Sequence, residues 1–213
     1  MPGGIQRPHP PRRTKVNRES LNELLYQAME TELGGEQIYL KALDCAENDD
    51  LRSEWEKYLA ETREHQEILK RIFAAAGLDV ETETPGRRIV RHKGRALVEA
   101  MEMALADAGP KEAELVAAEC VVEAETKDHQ NWELLIRVAG VTSGDLASEL
   151  QKAYDQVGEE EAHHLLHTQG FARELWIQYL GMEAVLPPPE EQKKVATQIG
   201  AARAEQQRDD YKS

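Results

Sequence analysis

The sequence predicts an all-α protein, a bundle of four long helices, and three observations predict it. Aromatic residues make up only 5% of the 213 positions while apolar residues make up 40%, a balance that leans away from a β-sandwich or barrel. Apolar residues recur at steps of three and four over four stretches of about 26 residues, each spanning roughly 40 Å as a helix. No segment carries a strand signal, and one long connection divides the four stretches into two hairpins.

Residues 1–18 hold Pro2, Pro8, Pro10 and Pro11 among Arg7, Arg12, Arg13, Lys15 and Arg18 and read as a disordered basic arm. The first helix, from 19 to about 48, has the stripe Leu21, Leu25, Met29, Tyr39, Leu43 and Ala46. Asn48-Asp49-Asp50 ends it and offers an N-cap to the second helix. That helix carries Leu51, Trp55, Tyr58, Leu69 and Ile72 and stops near Gly77. Residues 77–94 are predicted as a connection, with turn chemistry over 81–86 followed by a basic cluster of Arg87, Arg88, Arg91, His92 and Lys93. A short helix over 95–108 follows, closed by Gly109. Pro110 suits the first turn of the third long helix, which runs to about 138 with Leu115, Ala118, Val122, Trp132 and Ile136 on one face. After a turn at 140–144, Asp145 caps a fourth helix with the stripe Leu146, Leu150, Val157, Phe171 and Leu175, stopped by Pro187-Pro188-Pro189. The bundle thus covers 19–186, and 187–213 form a polar tail, mobile or peripheral.

The charge and the cysteines bound the function. A net charge of −14, or −19 once the arm with its five cations is set aside, argues against nucleic acid and anionic membrane as partners. No stretch approaches the roughly 20 apolar residues of a membrane span, and the basic N-terminus has no apolar core behind it to make a signal peptide. Cys45 and Cys120 are too few for a disulfide framework or a zinc ribbon. A reduced, cytoplasmic protein is expected, with both thiols off the inward stripes and inert.

What interrupts the apolar stripes is more informative. Helix one places Glu32 and Glu36 on its buried face, helix two Thr62 and His65, helix three Glu125 and His129, helix four Glu161 and His164. A buried carboxylate is costly unless it is paired or holds a metal. Four helices directing such groups inward at mid-length have one economical explanation, a metal site inside the bundle. The halves also repeat: Glu32 precedes Tyr39 by seven positions as Glu125 precedes Trp132, and a His-bearing segment follows each. Each half therefore supplies about half of a shared site, with Tyr39, Thr62 and Trp132 beside the ligands.

These residues resemble the ferritin-like di-iron carboxylate superfamily of ferritins, bacterioferritins and rubrerythrins. Its pattern is one Glu from each of two helices and a Glu-x-x-His from each of the other two. Glu161-Ala162-His163-His164 matches one such motif, and Glu32 and Glu125 match the single glutamates. Glu61-Thr62-Arg63-Glu64-His65 matches the other except that Thr62 stands where the pattern has Glu. Glu36, one turn after Glu32, is the expected substitute, with Glu61 the alternative; otherwise one metal is bound. His129, one turn after Glu125, is a candidate extra nitrogen ligand. A second registration of helix four, Glu160-x-x-His163, is open from sequence, though the stripe favours Glu161 and His164 and leaves His163 and His167 on the surface. Gly34-Gly35 reads either as a π-bulge or gap beside the metals or as a close approach to a neighbouring helix.

The resemblance implies a ferritin-like bundle whose long crossover carries a short extra helix. It also implies a di-metal oxidoreductase acting on dioxygen or hydrogen peroxide, or ferroxidase-like iron handling. The mixed carboxylate and imidazole set suits iron, then manganese, with zinc as a substitute. No Cys-x-x-Cys is present to carry a fused rubredoxin-type donor, so a peroxidase would need an external electron donor. A non-catalytic bundle acting in assembly is the second reading, favoured by Thr62, and a mini-ferritin coating DNA through its arm is a third, opposed by the charge. The segment Leu175, Trp176, Ile177, Tyr179, Leu180, Met182, Val185 and Leu186, apolar nearly all round, predicts a homodimer or larger homo-oligomer.

Overall fold

A computed structural model describes residues 16–212. The expected arm lies outside them except for its last three residues, which already belong to the bundle. Asn17 caps the first helix by accepting from the Ser20 amide at 3.0 Å, and Arg18 reaches the carbonyl of Ala76.

The chain is all-helical, with no strand among the described residues. Five long helices run in order: α1 Arg18–Cys45, α2 Asp49–Ala76, α3 Pro85–Asp107, α4 Pro110–Ala139 and α5 Asp145–Tyr179. Two short ones, α6 Pro189–Gln192 and α7 Gln198–Gln206, and a 3-10 turn Arg208–Tyr211 complete it. Helices α1, α2, α5 and α4 close a ring, each packing on the next, and α3 lies across α1 and α4. No helix among the described residues is long and apolar enough to cross a membrane.

The turns follow from local chemistry. Asn48 accepts from the Leu51 amide at 2.9 Å and starts α2. Gly77, in the left-handed region at φ 68°, ends α2 with its own amide and that of Leu78 returned to the last turn.

Three expectations change here. The connection over 77–94 is shorter and the extra helix longer. Thr84 caps it through the Arg87 amide and Pro85 sits in its first turn, so α3 starts ten residues earlier than the apolar pattern alone suggests. The basic cluster is helical because Arg87 and Arg91, one turn apart, both bind the buried carboxylate of Glu30 on α1, at 2.7 and 2.6 Å. Asp145 is not the cap of α5, a place taken by Gly144 at φ 84°. The end of α5 comes at Gly181, φ 79°, before the prolines are reached.

The segment after the prolines is not a loose tail. Val195 and Ala204 pack with Ala162 and Leu166 of α5. Arg173 and Arg208 converge on the buried Glu174, which also accepts from the Val185 amide at 2.8 Å, while Glu190 holds Arg173 from the other side.

The bundle interior contains two apolar clusters. One gathers Tyr39, Leu51, Trp55, Tyr58, Met101, Val121 and Phe171. The other gathers Leu25, Met29, Leu69, Phe73, Trp132, Leu150 and Val157. On each of α1, α2, α4 and α5 the residues between the clusters are polar: Glu32, then Thr62 and His65, then Glu125 and Asp128, then Glu161 and His164, all buried. The fold thus holds a polar layer between two dry ones.

Candidate metal centre

The polar layer gathers into two groups whose ligand-type atoms lie within 4.8 Å of one another: Glu32, His65 and Glu161, and Glu125, Glu161 and His164. Glu161 belongs to both. His65 Nδ1 stands 3.0 Å from Glu161 Oε1 and 3.5 Å from Glu32 Oε1. His164 Nδ1 stands 3.6 Å from Glu125 Oε2 and 3.7 Å from Glu161 Oε1. The two imidazoles lie nearly parallel, with centroids 5.8 Å apart.

Each half of the chain steadies the other's side chains. Tyr39 of α1 donates its hydroxyl to Glu125 Oε1 at 2.8 Å, and Trp132 of α4 donates its indole N–H to Glu32 Oε1 at 2.9 Å. The outer nitrogens are held in the same crossed way, His65 Nε2 by Glu160 and His164 Nε2 by Glu61, both at 2.9 Å. A carboxylate on the far nitrogen fixes the ring and leaves the near nitrogen to face the centre. The sequence repeat is therefore an approximate twofold in space, relating Glu32 to Glu125, Tyr39 to Trp132, Glu61 to Glu160 and His65 to His164.

The atoms left over fit a metal. Glu32 Oε2, Glu125 Oε2, both oxygens of Glu161, and Nδ1 of His65 and of His164 are buried without a well-formed hydrogen bond, although His65 Nδ1 and Glu161 Oε1 stand 3.0 Å apart. Buried polar atoms are otherwise almost always satisfied. These six are those turned toward the middle, two carboxylates and two imidazoles arranged around a shared third carboxylate.

The electrostatics agree. Burial, reinforced by Glu125 and Glu32 against the pull of His65, raises the Glu161 carboxyl to about 7. Burial also pushes Asp128 well above the usual range, helped by Glu32, Glu161 and Glu125. Burial alone would depress the imidazoles. For His164 the carboxylates of Glu125 and Glu61 outweigh it and carry the ring to about 9; for His65 the carboxylates of Glu32, Glu160 and Glu161 outweigh it and hold the ring well above its ordinary range. Without a cation the layer keeps protons on both kinds of group, and a divalent ion would replace them.

Two predicted residues are not brought in. Glu36, the expected substitute for the missing glutamate, turns outward and accepts from Arg63 Nε at 2.9 Å and Gln66 Nε2 at 3.0 Å. His129 is partly exposed, with Glu133 3.8 Å away. The residue that α4 does turn inward is Asp128, buried with Oδ1 unpartnered. Its signal was in the sequence: it stands three after Glu125, a spacing as compatible with one helix face as the four of His129. Glu61 and Glu160 were also missed as holders of the imidazoles.

The remaining expectations resolve locally. Glu161 and His164 face the centre, while His163, expected on the surface, points away from the centre but is only 15% exposed and stacks on His167 at 4.7 Å. His167, expected on the surface, is buried because residues 187–212 cover α5. Its Nδ1 meets the Tyr58 hydroxyl and its Nε2 the Val195 carbonyl, each at 3.2 Å. Burial, then the neighbouring His163, lowers it to about 4. Both thiols are buried, and burial lifts each to about 11, so neither is a nucleophile at neutral pH. Gly34 and Gly35 lie in unbroken α-helix, so no π-bulge forms. A Cβ on Gly35 would sit 3.6 Å from Thr62, whereas one on Gly34 would meet nothing within 4 Å.

The approximate twofold exposes an asymmetry. It pairs Asp128 with Gly35 and Glu161 with Thr62. Where the second half brings two carboxylates, the first brings a hydroxyl and a bare glycine.

Fold and site together define a helical bundle with a buried Glu/His centre able to hold a metal. No protein-family model, no curated protein and no solved structure matches the chain.

Proposed function

We propose that this protein is a ferritin-like di-metal oxidoreductase whose centre lies between Glu32, His65, Glu161, Glu125 and His164. The observation that carries the reading is the set of six ligand atoms around Glu161 without a well-formed hydrogen bond. Glu32, His65 and Glu161 would hold the first ion, and Glu125, His164 and Glu161 the second. Asp128 brings the carboxylates of the layer to four, the charge that two divalent ions need. Nitrogen and oxygen donors in this mixture suit iron, with manganese next and zinc as a substitute.

When bound, an iron or manganese pair supplies electron exchange with dioxygen or peroxide. The chain's own residues do the rest. Glu61 and Glu160 orient the imidazoles, and Tyr39 and Trp132 hold one oxygen each of Glu125 and Glu32 so that the other faces inward. The apolar clusters above and below keep bulk water out. Asp128, buried beside the ligands and inclined to keep a proton, is the residue of the layer that can hold one. Electrons for a peroxidase would come from an external donor. Trp176, Tyr179, Leu180 and Met182, exposed along one flank, fit a homodimer contact.

The test is metal analysis of protein produced in iron-supplemented medium, followed by addition of ferrous iron and then peroxide or air under optical monitoring. About two metals per chain and rapid oxidation of the bound ferrous ion are expected. The asymmetry at Gly35 and Thr62 favours one competing reading, a single ion on the Glu125, Glu161 and His164 side in a bundle acting in assembly. About one metal per chain with no turnover would establish it.

A further inference from the structure

A groove of about 660 Å³ runs between α1, α3 and α4 on the outer side of the segments that carry Glu32 and Glu125. Its walls are apolar: Ile38, Val90, Leu97 and Val122 line it, with Gly34 in its floor. Ile89 at its edge is 58% exposed. The volume lies in the range of small-molecule sites, roughly 300–1,000 Å³. The missing side chain of Gly34 keeps it open, since a Cβ there would meet nothing within 4 Å.

The cations beside it are the second observation. Lys93 and Lys127 both line the groove. Among the described residues neither makes an ion pair, and Lys127 bonds only the neutral side chain of Asn131. This is unusual in a chain of net charge −14, where carboxylates are plentiful. The nearby carboxylates are otherwise engaged: Glu30 is taken by Arg87 and Arg91, and Asp128 is buried toward the polar layer. Glu30 and Glu123 are the two carboxylates that line the groove, and of these Glu123 is the one without a cation of its own among the described residues. Apolar walls ending in two amines without an ion-pair partner complement a molecule with a hydrocarbon body and one anionic end.

We propose that this groove binds a free single-chain aliphatic carboxylate, its chain along Ile38, Leu97 and Val122 and its headgroup between Lys93 and Lys127. The site stands whether or not the polar layer holds metal.

The probe is decanoate, titrated calorimetrically into the full-length protein, with decanol as the uncharged control. Saturable binding of one decanoate per chain is expected, with decanol weaker by about tenfold, the worth of a charge-assisted hydrogen bond. Gly34→Leu directs a side chain into the groove from a position where a Cβ meets nothing within 4 Å, so a variant shown by circular dichroism to be folded should not bind. Lys93→Met, at an exposed position, should weaken decanoate by about tenfold and leave decanol unchanged. Binding undiminished in a folded Gly34→Leu, equal affinity for decanol and decanoate, or no decanoate binding would each overturn the assignment.

Discussion

Replacing Glu161 by Gln separates the metal-binding reading from a purely structural role for the polar layer. The change keeps the shape of the side chain and removes one charge from a place where both carboxylate oxygens lack a well-formed hydrogen bond. In the metal-free protein the folded-state value of about 7 lies above that of an ordinary carboxyl. The sign follows: stability is full below the ordinary range near 4.5 and is lost as pH rises through 7. At pH 8 the resistance to ionisation amounts to about 3 kcal/mol. Gln avoids it but gives up the charge facing His65 at 3.0 Å, which leaves a net gain of about 1–2 kcal/mol, or roughly 5 °C in Tm for a chain of this size. The assay is thermal unfolding of metal-free wild type and variant at pH 8 and pH 5, beside metal content per chain. The variant should be more stable when metal-free at pH 8, lose that advantage at pH 5, and retain neither metal. A Gln variant that keeps about two metals, or whose metal-free form is less stable at pH 8, would refute the reasoning.

Three further outcomes are expected. Asp128→Asn should lower bound metal while Glu36→Ala, which frees only Arg63 and Gln66, and His163→Ala should not, as read by elemental analysis. His167, lowered to about 4 against an ordinary 6.5, contributes stability that is full above 6.5 and lost as pH falls toward 4. His167→Gln should remove up to about 3 kcal/mol of acid sensitivity in denaturant titrations across that window; comparison of the two proteins is needed because Glu191, raised by burial to about 7, runs the other way. Glu174→Ala leaves Arg208 without its buried partner and Arg173 with Glu190 alone, and should cost about 3 kcal/mol, exposing residues 182–212 to limited proteolysis.

The buried location of Glu32, Glu125, Glu161 and His164 was legible because each sits within an apolar stripe of its own helix, and a residue in the middle of such a stripe is carried inward unless a neighbouring helix offers it partners elsewhere. The repeat was legible for the same reason: equal spacings in two halves give equal depths. Asp128 against His129 was not legible. Steps of three and four both lie near the 3.6-residue turn, so rotation by a fraction of a turn decides which points inward, and the packing of α4 on α1 and α5 sets that rotation. Glu36 failed for a related reason. It is one turn from Glu32, but Arg63 and Gln66 on α2 offer it donors in the opposite direction, and no local pattern registers a partner 27 or 30 residues away.

By itself, then, the sequence determined the helices, their inward faces and the depth of the polar layer, because these depend on periodicity and on the cost of burying charge. It also determined the absence of a glutamate at Thr62. Only the tertiary structure decided that the basic stretch after Pro85 continues as helix, since Glu30 of α1 is what holds Arg87 and Arg91, and that residues 187–212 fold over His167, since their few apolar side chains need α5 as a surface. It alone decided the crossed bonds of Tyr39 to Glu125, Trp132 to Glu32, Glu61 to His164 and Glu160 to His65. Those bonds join residues 86 to 103 positions apart, and such pairs are fixed by how helices dock, which no single helix encodes.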